Sequence, residues 1–177
     1  MCCPLTDRDR GPGFVFVSGP SNSGKTTLIE QLISRLRVRG IRVGTIKHAH
    51  HGCDLDQPGK DSWRHAQAGA EAVAVIAPER TAWLVRTPGT LSVTEALAPM
   101  HGRVDIVLIE GFKQSPGPRI VLEPGAKLRL HRDLVRCRIG VPVSELLTDE
   151  IERIIDFCLE VQSQHLTQSS SDQGSSR

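Results

Sequence analysis

The sequence predicts an α/β domain with three layers, helices on both sides of a mainly parallel sheet. Three observations carry that prediction. The apolar run Phe14-Val15-Phe16-Val17 reads as a buried strand and leads into a glycine-punctuated loop, after which Ile29, Leu32, Ile33 and Leu36 recur at helical spacing. Val104-Asp105-Ile106-Val107-Leu108-Ile109-Glu110 is nearly all apolar, as expected of a strand covered on both faces. Strand-like and helix-like stretches alternate along the chain, the pattern that builds parallel sheets through helical crossovers.

The elements follow in order. Residues 1–12 read as a loose leader, 13–163 as one domain, and 164–177, rich in Ser and Gln, as a disordered tail. The first strand covers 14–18 and the first helix runs from Lys25 to about Arg39, closed by Gly40. A second strand is expected over 42–47, then a long loop over 48–60 in which Gly52, Pro58 and Gly59 prevent regular structure. Asp61 or Ser62 caps a short helix ending at Gly69. Strands are expected over 72–77 and 81–85 around a turn at Pro78-Glu79-Arg80, a helix over 94–100, and strands over 104–110 and 119–122. The stretch 123–147 is ambiguous, with room for one short strand over 135–141. Thr148 caps the last helix, whose first turn carries Asp149 and Glu150 and whose apolar stripe is Ile151, Ile154, Ile155, Cys158 and Leu159.

The loop Gly19-Pro20-Ser21-Asn22-Ser23-Gly24-Lys25-Thr26 fits G-x-x-x-x-G-K-[ST] and stands between a strand and a helix, the context that a phosphate-binding loop requires. This is the signature of a P-loop NTPase-type domain. Such a loop wraps a polyphosphate with its own N–H groups. Gly19 and Gly24 allow close approach, and the helix behind points its positive end at the anion. Lys25 supplies a fixed positive charge, the Thr26 hydroxyl can ligate Mg²⁺, and Thr27 adds a hydrogen bond.

Glu110 closes the apolar strand at the edge where ligands bind in such sheets. There a carboxylate holds Mg²⁺ through water or orients an attacking water, and Gly111 lets the backbone pass close to the terminal phosphate. The loop from Lys47 to Asp56 is dense in potential ligands: His48, His50, His51, Cys53, Asp54 and Asp56. A transition-metal site is one reading; a loop bringing Asp54 or Asp56 to a hydrated Mg²⁺ is another; a solvated polar loop is a third. Lys60 and Asp61 either contact phosphate and metal or cap the next helix.

Composition narrows the field. With 22 basic against 20 acidic residues, a net charge of +2 and 3% aromatics, nothing suggests nucleic-acid binding. Five cysteines, an odd number without a C-x-x-C pair, argue against a disulfide framework or a structural zinc site, and a reducing cytoplasm is the expected compartment. No apolar stretch reads as a signal peptide or membrane span. Arg35, Arg37, Arg39 and Arg42 read as a solvated face at the end of the first helix, and Trp63 and Trp83 as core or interface anchors.

Several of these segments together resemble the molybdopterin-guanine dinucleotide biosynthesis protein B (MobB) family. They are the phosphate loop through Thr27, Gly44-Thr45-Ile46-Lys47-His48-Ala49-His50-His51, Asp54-Leu55-Asp56-Gln57-Pro58-Gly59-Lys60-Asp61-Ser62, Ala68-Gly69-Ala70 and Ile109-Glu110-Gly111-Phe112-Lys113. The resemblance spans about residues 13–122. It implies a GTP-binding protein, usually a homodimer, with weak GTPase activity, assisting the MobA-type guanylyltransferase that joins GMP to molybdopterin. Residues 19–27 would then hold the phosphates and Thr26 would ligate Mg²⁺, with Asp54, Asp61 and Glu110 as its further partners. No Asn-Lys-x-Asp guanine reader occurs, so guanine specificity rests on the resemblance. Two other readings compete. A small-molecule kinase would use the same loop, with Arg129, Arg132, Arg136 and Arg138 as a lid; an interaction module would bind its partner and no nucleotide.

Overall fold

The computed structural model describes residues 11–49, 56–123, 129–131, 136–139, 143, 146 and 148–171. The single domain expected over 13–163 divides into two compact units, Met1–His48 with Val93–Arg177 and Ala49–Ser92.

The first unit holds a six-stranded sheet. Its strands are β1 (Gly13–Ser18), β2 (Val43–Lys47), β5 (Ile106–Glu110), β6 (Arg119–Leu122), β7 (Arg129–His131) and β8 (Arg136–Ile139), in the order β2-β5-β1-β6-β8-β7. All neighbouring pairs are parallel except β7 with β8. The ambiguous region thus contributes two short strands rather than one.

Alternation along β1 and β5 explains why both read as almost wholly apolar. Val15, Val17, Ile106 and Leu108 face one side of the sheet. There α1 (Lys25–Val38) adds Leu28, Leu32 and Leu36, and α4 (Thr148–Ser171) adds Ile151, Ile154, Ile155 and Cys158. Phe16, Val107 and Ile109 face the other side and meet Leu97 of α3 (Val93–Leu97). The predicted helix over 94–100 finishes as a 3-10 turn, Ala98–Met100, with Pro99 near its start.

Sequence and structure differ at several boundaries, each for a local reason. Strand β5 starts at Ile106 because Asp105 is engaged with Arg42: its N–H donates to Arg42 O at 2.8 Å, and its carboxylate accepts from the Arg42 guanidinium and backbone N–H. Arg42 is therefore an ion-paired tie, not a free surface charge. Arg39 pairs with Glu152, joining the end of α1 to α4. Helix α4 continues through Ser171 instead of ending near residue 163, since 164–171 contains neither Gly nor Pro to stop it. No described helix is long and apolar enough to cross a membrane.

The second unit holds α2 (Asp61–Gln67) and an antiparallel hairpin of β3 (Ala72–Ala77) and β4 (Arg80–Val85). Ala77 pairs with Arg80, so the turn is two residues, Pro78-Glu79. The cap of α2 is Lys60, whose side chain makes no capping bond. The expected cap Ser62 is occupied elsewhere, its hydroxyl donating to Asp56 Oδ1 at 3.0 Å. Val73 is buried, while Ile76, Trp83 and Val85 are exposed on the opposite face of the hairpin.

Candidate nucleotide-binding site

Strand β1 delivers the chain to the carboxyl edge of the sheet, and the loop from Gly19 to Gly24 turns it into α1. Two glycines are needed there on independent grounds. Gly19 (φ 155°) and Gly24 (φ 86°) are left-handed, a region that side chains resist. A Cβ on Gly19 would also lie 2.8 Å from Leu122 O and from Ser23 Oγ, and one on Gly24 would lie 2.8 Å from Val143 Cγ2. Asn22 is left-handed too (φ 58°), a conformation its short polar side chain tolerates.

The amino end of α1 is open to an anion. Gly24 caps it without a side-chain bond, and its first turn carries no acidic residue. The unpaired N–H groups and the positive end of the helix dipole are therefore left for a ligand. Pro20, Ser21, Asn22, Thr26 and Thr27 are exposed around this opening, and Ser23 Oγ is buried with no hydrogen-bond partner among the described residues.

Lys25 stands at the mouth. Its Nζ donates to Pro20 O at 2.6 Å and to Gly19 O at 3.3 Å, and lies 4.0 Å from Glu110 Oε1. Sheet register explains the meeting. Glu110 pairs with Val17 of β1, and alternation turns it to the α1 side of the sheet, at the same edge as the loop. Lys25 and Glu110 are each mostly shielded from solvent, with side chains 15% and 19% exposed. Two residues 85 positions apart in the chain, a strand-end acid and the lysine that opens α1, thus form one small polar centre on an apolar floor.

Beside it, Gly111 (φ 110°) and Phe112 (φ 46°) turn the chain sharply. Sequence reasoning assigned Gly111 to phosphate approach; its immediate neighbour is His48, whose Cβ would lie 2.7 Å from a Cβ on Gly111. The His48 ring stacks on Phe112 at 4.4 Å, so this histidine has a packing role. Arg119 is buried below. Its Nη2 donates to Ser115 O at 2.7 Å and Phe112 O at 3.1 Å, and its guanidinium lies 4.5 Å over the Phe16 ring. Nothing in the sequence marks Arg119, a single cation between Pro118 and an apolar strand.

The remaining candidates fall in other stretches of the chain. Lys60 and Asp61 lie exposed at the start of α2 in the second unit, where Asp56 Oδ1 accepts from Ser62 and from Gln57 N. Asp54, His50, His51 and Cys53 lie outside the described residues. Of the arginines proposed as a kinase lid, Arg129, Arg136 and Arg138 sit in strands of the main sheet, which is not lid architecture, and Arg132 lies outside the described residues.

The residues fit a nucleoside triphosphate with Mg²⁺. The loop is a cradle that a Cβ would obstruct, a buried hydroxyl within it has no partner among the described residues, and the donor set is amides, one ammonium and hydroxyls with one nearby carboxylate.

Comparison with known proteins gives the family. The family model for MobB, molybdopterin guanine dinucleotide synthesis protein B, matches residues 14–134. A molybdopterin-guanine dinucleotide biosynthesis adapter protein of Haemophilus influenzae is 48% identical over 108 residues, 60% of each chain. The Escherichia coli adapter protein of the same name is 37% identical over 153 residues, 79% of this chain and 87% of that one. The match thus spans less than two thirds of the Haemophilus relative. The crystal structure of Bacillus subtilis MobB superposes with a TM-score of 0.60 at 26% identity, covering 82% of this chain and 98% of the other.

Proposed function

This chain belongs to the MobB family, and we propose that it is a GTP-binding adapter in the assembly of molybdopterin guanine dinucleotide. In this reading residues 19–27 hold the phosphates, Thr26 ligates Mg²⁺, and Glu110 orients water or the metal's hydration shell. Asp54, Lys60 and Asp61 are its further candidates toward phosphate and metal. The partner is a MobA-type guanylyltransferase acting on molybdopterin, and the working form is a homodimer.

One observation carries the reading: a loop with two left-handed glycines brings Lys25 to 4.0 Å from the strand-end carboxylate of Glu110. That constellation suits a triphosphate, whose charge is met by amides, an ammonium and a metal. The adapter role is supported by the relatives' names, and guanine preference by the molecule they help to make. Weak turnover is expected, because no arginine stands beside Lys25 and Glu110 among the described contacts of the site, and such a cation contributes about 10³–10⁵ in rate where present.

The test is equilibrium competition between GTP and ATP on the purified chain, repeated with the transferase and molybdopterin. GTP should win, and Lys25→Ala should abolish binding while the circular dichroism spectrum is kept. Undiminished GTP affinity in that variant would defeat the site assignment.

A further inference from the structure

Glu110 is useful only if its carboxylate is held toward Lys25, and the backbone that follows it has no regular structure to hold it. Gly111 and Phe112 are consecutive left-handed residues, and for phenylalanine that conformation is costly. It persists because three contacts grip the turn. His48 N donates to Glu110 O at 2.8 Å, the His48 ring lies on the Phe112 ring, and Arg119 binds Phe112 O and Ser115 O from beneath. Ser115 N closes the turn onto the same Phe112 carbonyl at 3.1 Å.

Arg119 is a charged side chain left only 7% exposed. A buried guanidinium is expensive unless its hydrogen bonds are met, and an apolar side chain would fill the space more cheaply. Its location makes the expense informative. Arg119 pairs in register with Phe16 on β1, three residues before the phosphate loop begins at Gly19, while its Nη2 reaches the segment leaving β5. One side chain therefore links the strand that carries the loop to the turn that aims the carboxylate.

We propose that Arg119 and His48 are positioning residues that fix the 111–115 turn and so direct Glu110 at the metal-phosphate end of the site. The inference rests on the nucleotide reading above. Neither residue is assigned contact with the ligand; both act through Glu110.

The experiment uses the full chain and measures GTP affinity with Mg²⁺ and with a chelator, alongside thermal melting. Arg119→Met should reduce the affinity gain conferred by Mg²⁺ about fivefold, the scale of coupling within one network, with Arg119→Lys recovering part of it. Glu110→Gln should show a similar reduction, and the Arg119→Met, Glu110→Gln double variant no further one. His48→Ala, which removes a half-buried ring at the edge of the turn, should behave as Arg119→Met and carries the comparison if that variant does not fold. Additive losses in the double variant, or a lowered melting temperature with the Mg²⁺ gain intact, would show that Arg119 merely packs and would overturn the inference alone. Wild-type protein that retains no GTP would overturn the nucleotide reading and this inference with it.

Discussion

In the proposed site, Lys25 and Glu110 differ in how each is anchored. Lys25 is the first residue of α1 and holds the loop's own carbonyls, so its charge is coupled to the shape of the cradle. Glu110 ends a strand buried on both faces, so its position is inherited from the sheet and from the turn behind it. The first should govern capture and the second chemistry. Glu110→Gln keeps size and hydrogen-bonding shape while removing the charge. It should lower single-turnover GTP hydrolysis about 100-fold, the lower range for loss of a positioned acid or base, and lower GTP affinity much less. Matched losses in rate and affinity would instead place Glu110 in ground-state metal retention.

At the scale of elements, the sheet is tied at the edge away from the site. Arg42 precedes β2 and Asp105 precedes β5; the guanidinium meets the carboxylate at 2.6 Å, the Arg42 N–H also donates to that carboxylate, and the Asp105 N–H donates to Arg42 O. The side-chain bond from Arg42 is the main reason the Asp105 carboxyl sits below the ordinary aspartate range. A group whose pKa is lowered by folding stabilises the fold above its unfolded value, about 3.9, and loses that contribution as pH falls through the folded value. Asp105→Asn should therefore be less stable than wild type at pH 7, with the gap narrowing below about pH 4. Urea titrations of both proteins across that range check it, and a gap independent of pH would remove the ionised carboxylate from the explanation. The same elements show what a sequence discloses. Strands β1 and β5 were legible because burial on both faces leaves an uninterrupted apolar run. The loop's place between β1 and α1 was legible because Gly19, Gly24 and Lys25 stand at the fixed spacing of a known strand–loop–helix pattern. The Arg42–Asp105 tie was not, because 63 residues separate partners that only strand register brings together. Arg119 was not, because a charge at the first position of a strand ordinarily faces water, and its burial is created by Phe16 and the 111–115 turn. The extent of α4 was misread because Ser and Gln composition resembles that of disordered tails while containing no helix breaker.

At the scale of the whole molecule, the site is built into the core of one unit. The loop joins β1 to α1, whose Val15, Val17, Leu28, Leu32 and Leu36 share one apolar cluster with α4. Ligand held by the loop must therefore stabilise that unit against unfolding. For a ligand that binds only the folded state, a concentration 100 times its dissociation constant adds about 2.7 kcal/mol. In a chain of this size that raises the melting temperature by roughly 5–11 °C, at about 2–4 °C per kcal/mol. The two units can be watched separately, because both tryptophans, Trp63 and Trp83, lie in the 49–92 unit, whereas the long helices α1 and α4 lie in the other. Far-UV circular dichroism, dominated by those helices, should show the full shift on adding GTP with Mg²⁺, and Lys25→Ala should show none. A shift confined to tryptophan fluorescence would mean that the nucleotide is held by the hairpin unit, and the phosphate loop would lose its assignment.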